Sequence, residues 1–112
     1  MSVDLVIERP DRELELVSIC GQSTAEGRFA DIARERGFKI LTGGYPTKRF
    51  DKSDLEQVIF ELSVLQAEVL SSIETDDRLS EHDRRCNREK WEYILQRVSL
   101  LRSEEGWQAD FG

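Results

Sequence analysis

Histidine is almost missing from this chain of 112 residues: His82 stands alone, beside two cysteines, Cys20 and Cys86, and two prolines. With neither C-x-x-C nor H-x-x-x-H spacing, zinc and related metals find no clustered ligand set, and no cofactor is expected. The two cysteines lie far apart in a chain whose start, Met1-Ser2-Val3-Asp4, is not a basic region followed by an apolar run. They read as buried thiols rather than a bridge. No apolar stretch approaches the roughly 18 residues of a membrane span, so the cytoplasm is the expected location and no membrane partner is expected. No repeat and no Pro/Gly/Ser-rich linker divides the chain, which predicts one domain over 1–112.

What is abundant is charge. Charged residues make up 35% of the chain, with 23 acidic against 16 basic side chains and a net charge of −7. Such a body repels phosphate backbones, so nucleic acid is not an expected partner and a basic protein is. The acidity is uneven, since residues 51–79 hold 8 acidic and 2 basic side chains whereas 21–50 are net basic.

Apolar patterning predicts the elements. Val3, Leu5 and Ile7 share one parity, as do Leu14 and Leu16 after Pro10-Asp11-Arg12, which reads as a β-hairpin of Val3–Glu8 with Glu13–Cys20. Ser23-Thr24-Ala25-Glu26 fits a capping box for a helix running to about Arg36, with Ala25, Phe29, Ile32 and Ala33 inward and Gly37 as the left-handed residue after it. Phe38–Thr42 looks like a strand that turns at Gly43-Gly44 and returns through Tyr45–Phe50, confined to a sheet edge by Pro46. Ser53-Asp54-Leu55-Glu56 is a second capping-box pattern. It opens the strongest signal, a helix over 54–74 with Leu55, Val58, Ile59, Leu62, Leu65, Val69, Leu70 and Ile73 on one stripe. Ser80 then caps a helix to about Glu105, polar from Glu81 to Lys90 and apolar at Cys86, Trp91 or Tyr93, Ile94, Val98 and Leu101, with Gly106 as its stop. The alternating tail Trp107–Phe111 either docks as an edge strand or lies loose. The predicted class is α+β, a small antiparallel sheet from two hairpins packed against one short helix and a C-terminal antiparallel helix pair.

Chemistry is harder to place. A nucleophilic Cys20 would need His82 as its base, a pairing that spacing does not support. Thr42–Lys48 lacks the G-x-x-x-x-G-K-[ST] phosphate loop, and Asp76-Asp77 lacks the alternating ligands of a calcium loop. Arg84, Arg85, Arg88 and Lys90 form a basic cluster, but Glu81, Asp83, Glu89 and Glu92 interleave with it as on a solvated helical face. Residues Phe29 to Phe38 resemble the first helix and turn of a helix-turn-helix, a resemblance that implies DNA binding; the strand predicted next leaves no recognition helix.

Small acidic proteins without a visible active site are similar as a class to immunity proteins that neutralise bacterial toxins. That likeness implies an inhibitor binding a basic toxin, in the first instance a nuclease, through an acidic surface. The contacts expected are Glu61, Glu68, Asp76, Asp77, Trp107 and Asp110, carboxylates of the long helix and its turn together with a tail aromatic. A small enzyme using carboxylates or Cys20, or a transcriptional antitoxin or regulator, is the alternative. Oligomeric state is not legible at this level.

Overall fold

The computed structural model describes residues 3–20, 31–41 and 49–112. Strands β1 (Val3–Glu8) and β2 (Leu14–Cys20) form the expected hairpin. Its turn is closed by Arg12 N–H donating to the Arg9 carbonyl (2.9 Å) and Arg9 N–H donating to the Glu13 carbonyl (3.0 Å). Arg12 takes the left-handed position at φ 68°. Only one parity of each strand enters the core. Leu5 and Ile7 of β1 and Val17 and Ile19 of β2 are buried, while Leu14 and Leu16 point the other way, 64% and 66% exposed. The parity that Leu14 and Leu16 share is the outward one, because the β2 sequence is apolar on both parities and the register pairs them with Glu8 and Val6 rather than with Leu5 and Ile7.

Residues 31–36 are helical (α1) and end at Gly37, φ 64°. The N–H of Phe38 bonds the Ala33 carbonyl at 3.0 Å and that of Gly37 the Arg34 carbonyl at 3.3 Å, which satisfies the last carbonyls as a left-handed C-terminal cap does. The predicted capping box at Ser23–Glu26 and the Gly43-Gly44 turn lie outside the described residues.

Among the described residues no strand follows directly on α1. Residues 38–41 are irregular, and the third strand comes instead from the tail: β3 (Gln108–Phe111) pairs antiparallel with β1, giving the order β2-β1-β3. Of the predicted return strand, residues 45–48 lie outside the described residues, and Phe50 bridges to Ala109, exchanging bonds of 2.8 and 2.9 Å. Here tail and first strand, far apart in sequence, share matching alternation, and Ala109 and Phe111 lie on the buried face with Leu5 and Ile7.

Helix α2 (Leu55–Glu74) and helix α3 (Glu81–Leu100) cover that face. Asp51 caps the chain one turn ahead of α2, at a short 3-10 segment (Lys52–Asp54), accepting from Ser53 N–H while Asp54 reciprocates. The expected Ser53–Glu56 box is thus displaced by two residues, since the carboxylate of Asp51 is the nearer acceptor. For α3 the expected Ser80 cap is present, reciprocated by Asp83. The helix stops at Leu100, short of Glu105, and a 3-10 turn (Leu101–Ser103) leads to Gly106, φ 79°, where a Cβ would lie 2.8 Å from Pro10 Cγ. Only glycine lets the two turns meet there.

The helices run antiparallel, because Arg102 after α3 meets Glu56 at the start of α2, while Arg88 early in α3 meets Glu74 at its end. Leu55, Val58, Leu62, Leu65 and Val69 of α2 and Trp91, Ile94 and Val98 of α3 join the strand residues in one apolar cluster. Each such side chain contributes about 1.5–3 kcal/mol by leaving water. Beyond Val69 and before Trp91 neither helix has a fully buried residue. The far end of the pair therefore projects, and the molecule measures 45 × 27 × 23 Å.

Candidate functional site

Glu61 was expected on an acidic surface and is instead fully buried. It sits on the α2 stripe, three residues after Val58 and four before Leu65, so its side chain points into the protein. Phe38 and Leu41 are drawn into the core after the Gly37 turn, which strands the amides between them with no neighbouring strand. The Glu61 carboxylate meets those amides: Oε1 accepts from Leu41 N–H at 2.8 Å and Ile40 N–H at 3.1 Å, and Oε2 accepts from Lys39 N–H at 3.1 Å. Gln57, one turn back, donates its side-chain amide to Oε2 at 2.7 Å. Three successive amides form an anion-binding concavity, and the anion here belongs to the protein itself. The role is structural.

Trp107, also expected at a contact, is buried as well. Its indole N–H donates to the Leu101 carbonyl at 3.1 Å, and its ring meets Phe50 edge-on at 6.0 Å. Tail aromatics resemble interface anchors in sequence, but here the strand that carries the tail into the sheet folds this one inward.

The four other expected contacts do not share one surface. Glu68, on α2, is paired with Arg36. Asp110 lies on the sheet face away from the helices, with Arg49 Nε at 4.0 Å. Asp76 sits in the turn between the helices, where Arg78 donates to both of its oxygens (3.0 and 2.9 Å) and holds the carboxyl well below its usual range, at about 2. Its neighbour Asp77 is exposed. Arginines from elsewhere neutralise much of the α2 acidity. Glu56 is taken by Arg102, and Glu74 by Arg88, which also holds Glu81. Arg84 donates instead to the Asp76 carbonyl at 2.8 Å, closing the end of α2. In the projecting half Asp77 and Glu89 are exposed with no cation on them among the described residues, Asp83 is likewise without one but caps α3 with Ser80, and Glu92 follows just past Trp91.

A second ionic group ties the hairpin to the helices. The carboxylate of Glu15, on the helix side of β2, accepts from Arg97 Nε of α3 at 2.8 Å and from Arg9 at 2.9 Å, and Arg9 also reaches Glu104 at 2.8 Å. Burial would raise the Glu15 carboxyl, but the hydrogen bonds from Arg97 and Arg9 outweigh it and hold the group below its usual range. All members are paired, which is the arrangement of a clamp rather than of an acid/base couple.

His82 approaches Cys86, one turn on along α3, with Nε2 3.6 Å from Sγ. Cys86 is exposed, contrary to the buried thiol expected, because the first half of α3 lies beyond the core. The other ring nitrogen, Nδ1, faces the Arg85 guanidinium at 3.4 Å, a donor rather than the acceptor that orients a nucleophile–base couple, and the side chain of Cys20 lies outside the described residues. Among the described residues no three His, Cys, Asp or Glu side chains converge as metal ligands. Two open depressions, of about 270 and 230 Å³, adjoin each other at Gly106 and Gln108; of the carboxylates lining them, Asp51 is held below its usual range by hydrogen bonds from Ser53, as a helix cap. No helix among the described residues is long and apolar enough to cross a membrane.

Against family models, curated proteins and solved structures the chain finds no match. The reading of its function rests on the geometry above.

Proposed function

We propose that this protein acts by binding, as an immunity-like inhibitor that blocks a basic toxin, in the first instance a nuclease. The observation that carries the reading is the chain's net charge of −7 together with exposed carboxylates on the helical pair and its turn, Asp77, Glu89 and Glu92, that no cation holds among the described residues. A rigid hairpin of helices with carboxylates at its free end can enter a cleft that otherwise holds phosphates, and its field accelerates the encounter. Glu68, Asp76 and Asp110 would join by exchanging their present arginines for the partner's, which costs the broken pair part of the gain.

The test is affinity capture from the native cell, followed by titration against the captured protein at rising ionic strength. A basic partner is expected whose activity is blocked and whose affinity falls as salt rises. Replacing Glu89 and Glu92 by lysine should weaken it by about tenfold or more, since like charges then face each other. Salt-insensitive binding, no partner, or an unaffected double variant would overturn the reading.

A further inference from the structure

The hydrogen-bond pattern decides which way each strand's backbone faces. Asp4 and Gly112 exchange two bonds of 2.9 Å, so β1 residues 4, 6 and 8 face β3 and residues 5 and 7 face β2. The 3.0 Å bond from Arg9 N–H to the Glu13 carbonyl continues that alternation, placing residues 13, 15 and 17 of the second arm toward β1. Leu14, Leu16 and Ser18 consequently direct their N–H and C=O groups away from the sheet. Among the described residues no strand pairs with that edge.

The edge carries little protection: its register with β1 shifts only beyond Ser18, opposite Val3/Asp4, and the regular stretch Leu14–Ser18 holds neither lysine nor proline. Lone edge strands are ordinarily guarded by lysine, proline, a bulge or an inward charge, because bare N–H and C=O rows recruit other strands. Within Leu14–Cys20 the one charged residue is Glu15, and its side chain is turned to the helices and neutralised by Arg97 and Arg9. No charged residue occurs from Leu16 to Ala25, in a chain that is 35% charged. Among the described residues, four of the five exposed large hydrophobics lie on the two elements of this margin, β2 and α3. Leu14 and Leu16 are on the strand, while Tyr93 and Leu100, 54% and 46% exposed, stand four residues before and three after Arg97 on the face of α3 that reaches β2.

We infer that β2 pairs antiparallel with β2 of a second copy of this chain, joining two three-stranded sheets into one across a two-fold axis. An uncharged edge offers nothing to a basic partner strand, whereas another uncharged strand of the same alternation matches it, and β2 itself is such a strand. Charge also narrows the register. With Leu16 opposite Leu16 of the partner, Leu14 meets Ser18 and Glu15 meets Val17, so no carboxylates oppose. A register centred on Glu15 would set two like charges face to face. Opposed residues share a face, so both copies' leucines form one strip with Val6, and Tyr93 and Leu100 close the helical side. This pairing is independent of the acidic end of the helices.

Sedimentation of the full chain over a wide concentration range tests it, with amide exchange read at Leu14, Leu16 and Ser18. The expected result is a monomer–dimer equilibrium, with those three amides protected as the dimer forms. Leu16→Lys should weaken the dimer by about a hundredfold while leaving the circular dichroism unchanged, because the side chain is exposed in the monomer. Ser18→Pro, which removes an outward N–H and spares the β1 ladder, should do the same. A monomer at every concentration, a dimer whose three amides exchange freely, a dimer indifferent to both variants, or a strand of another protein occupying the edge would each overturn the inference.

Discussion

The two margins of one small sheet are finished in opposite ways. On the β3 side, Phe50 bonds Ala109 across the edge and stacks on Phe111 with ring centroids 5.6 Å apart, while Trp107 closes edge-on against Phe50. On the β2 side, the backbone groups of Leu14, Leu16 and Ser18 face outward beside two exposed leucines. The contrast separates two tasks, with stability concentrated at the aromatic margin and association left to the bare one.

The largest blow to this asymmetry comes from Trp107→Ala. Loss of the buried ring leaves a cavity, an unfilled carbonyl at Leu101 and a loosened Phe50, and about 3–5 kcal/mol of stability should go. Urea unfolding measures it. A loss under 1 kcal/mol would mean that the aromatic margin is not what holds β3.

Glu61→Ala probes a third row of backbone groups, the amides of Lys39, Ile40 and Leu41, which a single side chain serves. Burying them without an acceptor should cost about 3 kcal/mol, and amide exchange at these three residues should rise before global unfolding. Unchanged protection there would show that the carboxylate is dispensable.

The smallest of these effects is at the bare margin and depends on pH. Because the folded Glu15 carboxyl lies below its usual range, its ion pairs stabilise fully above the unfolded value and fade as pH falls through the folded one. Glu15→Gln should therefore cost about 1 kcal/mol near pH 7, a figure reduced for its partial exposure, and the difference from the unaltered protein should shrink in acid. Parallel unfolding curves at pH 7 and pH 3 would show it; a difference that holds constant would point to shape rather than charge.

The elements whose causes are local were legible in the sequence. The first hairpin, Gly37, Ser80 and the 54–74 stripe each follow from a few neighbouring residues, and each stands where expected. What failed was set by distant partners. The third strand depended on whether Phe38–Thr42 or the tail reached β1 first in space, and four residues of alternation cannot signal that. Glu61 looked like one more surface acid in a charged chain, although its spacing from Val58 and Leu65 already placed it on the buried stripe. The acidic surface as first read also shrank for a long-range reason. Arg36, Arg88 and Arg102 arrive from other elements to meet Glu68, Glu74 and Glu56, and no spacing along α2 announces them.

The position of β1 between β2 and β3 has a consequence in time. A nascent hairpin can close within about 1–10 μs, yet the strand that completes the sheet lies roughly a hundred residues downstream, about 5–20 s later at ordinary rates of synthesis. Through that interval β1 would be as bare on one side as β2 is on the other, while neighbouring ribosomes on the same message carry identical chains. A cell making this protein quickly must delay or shield that first hairpin, and its yield should respond more to codon speed over the last helix than to the stability of the finished fold.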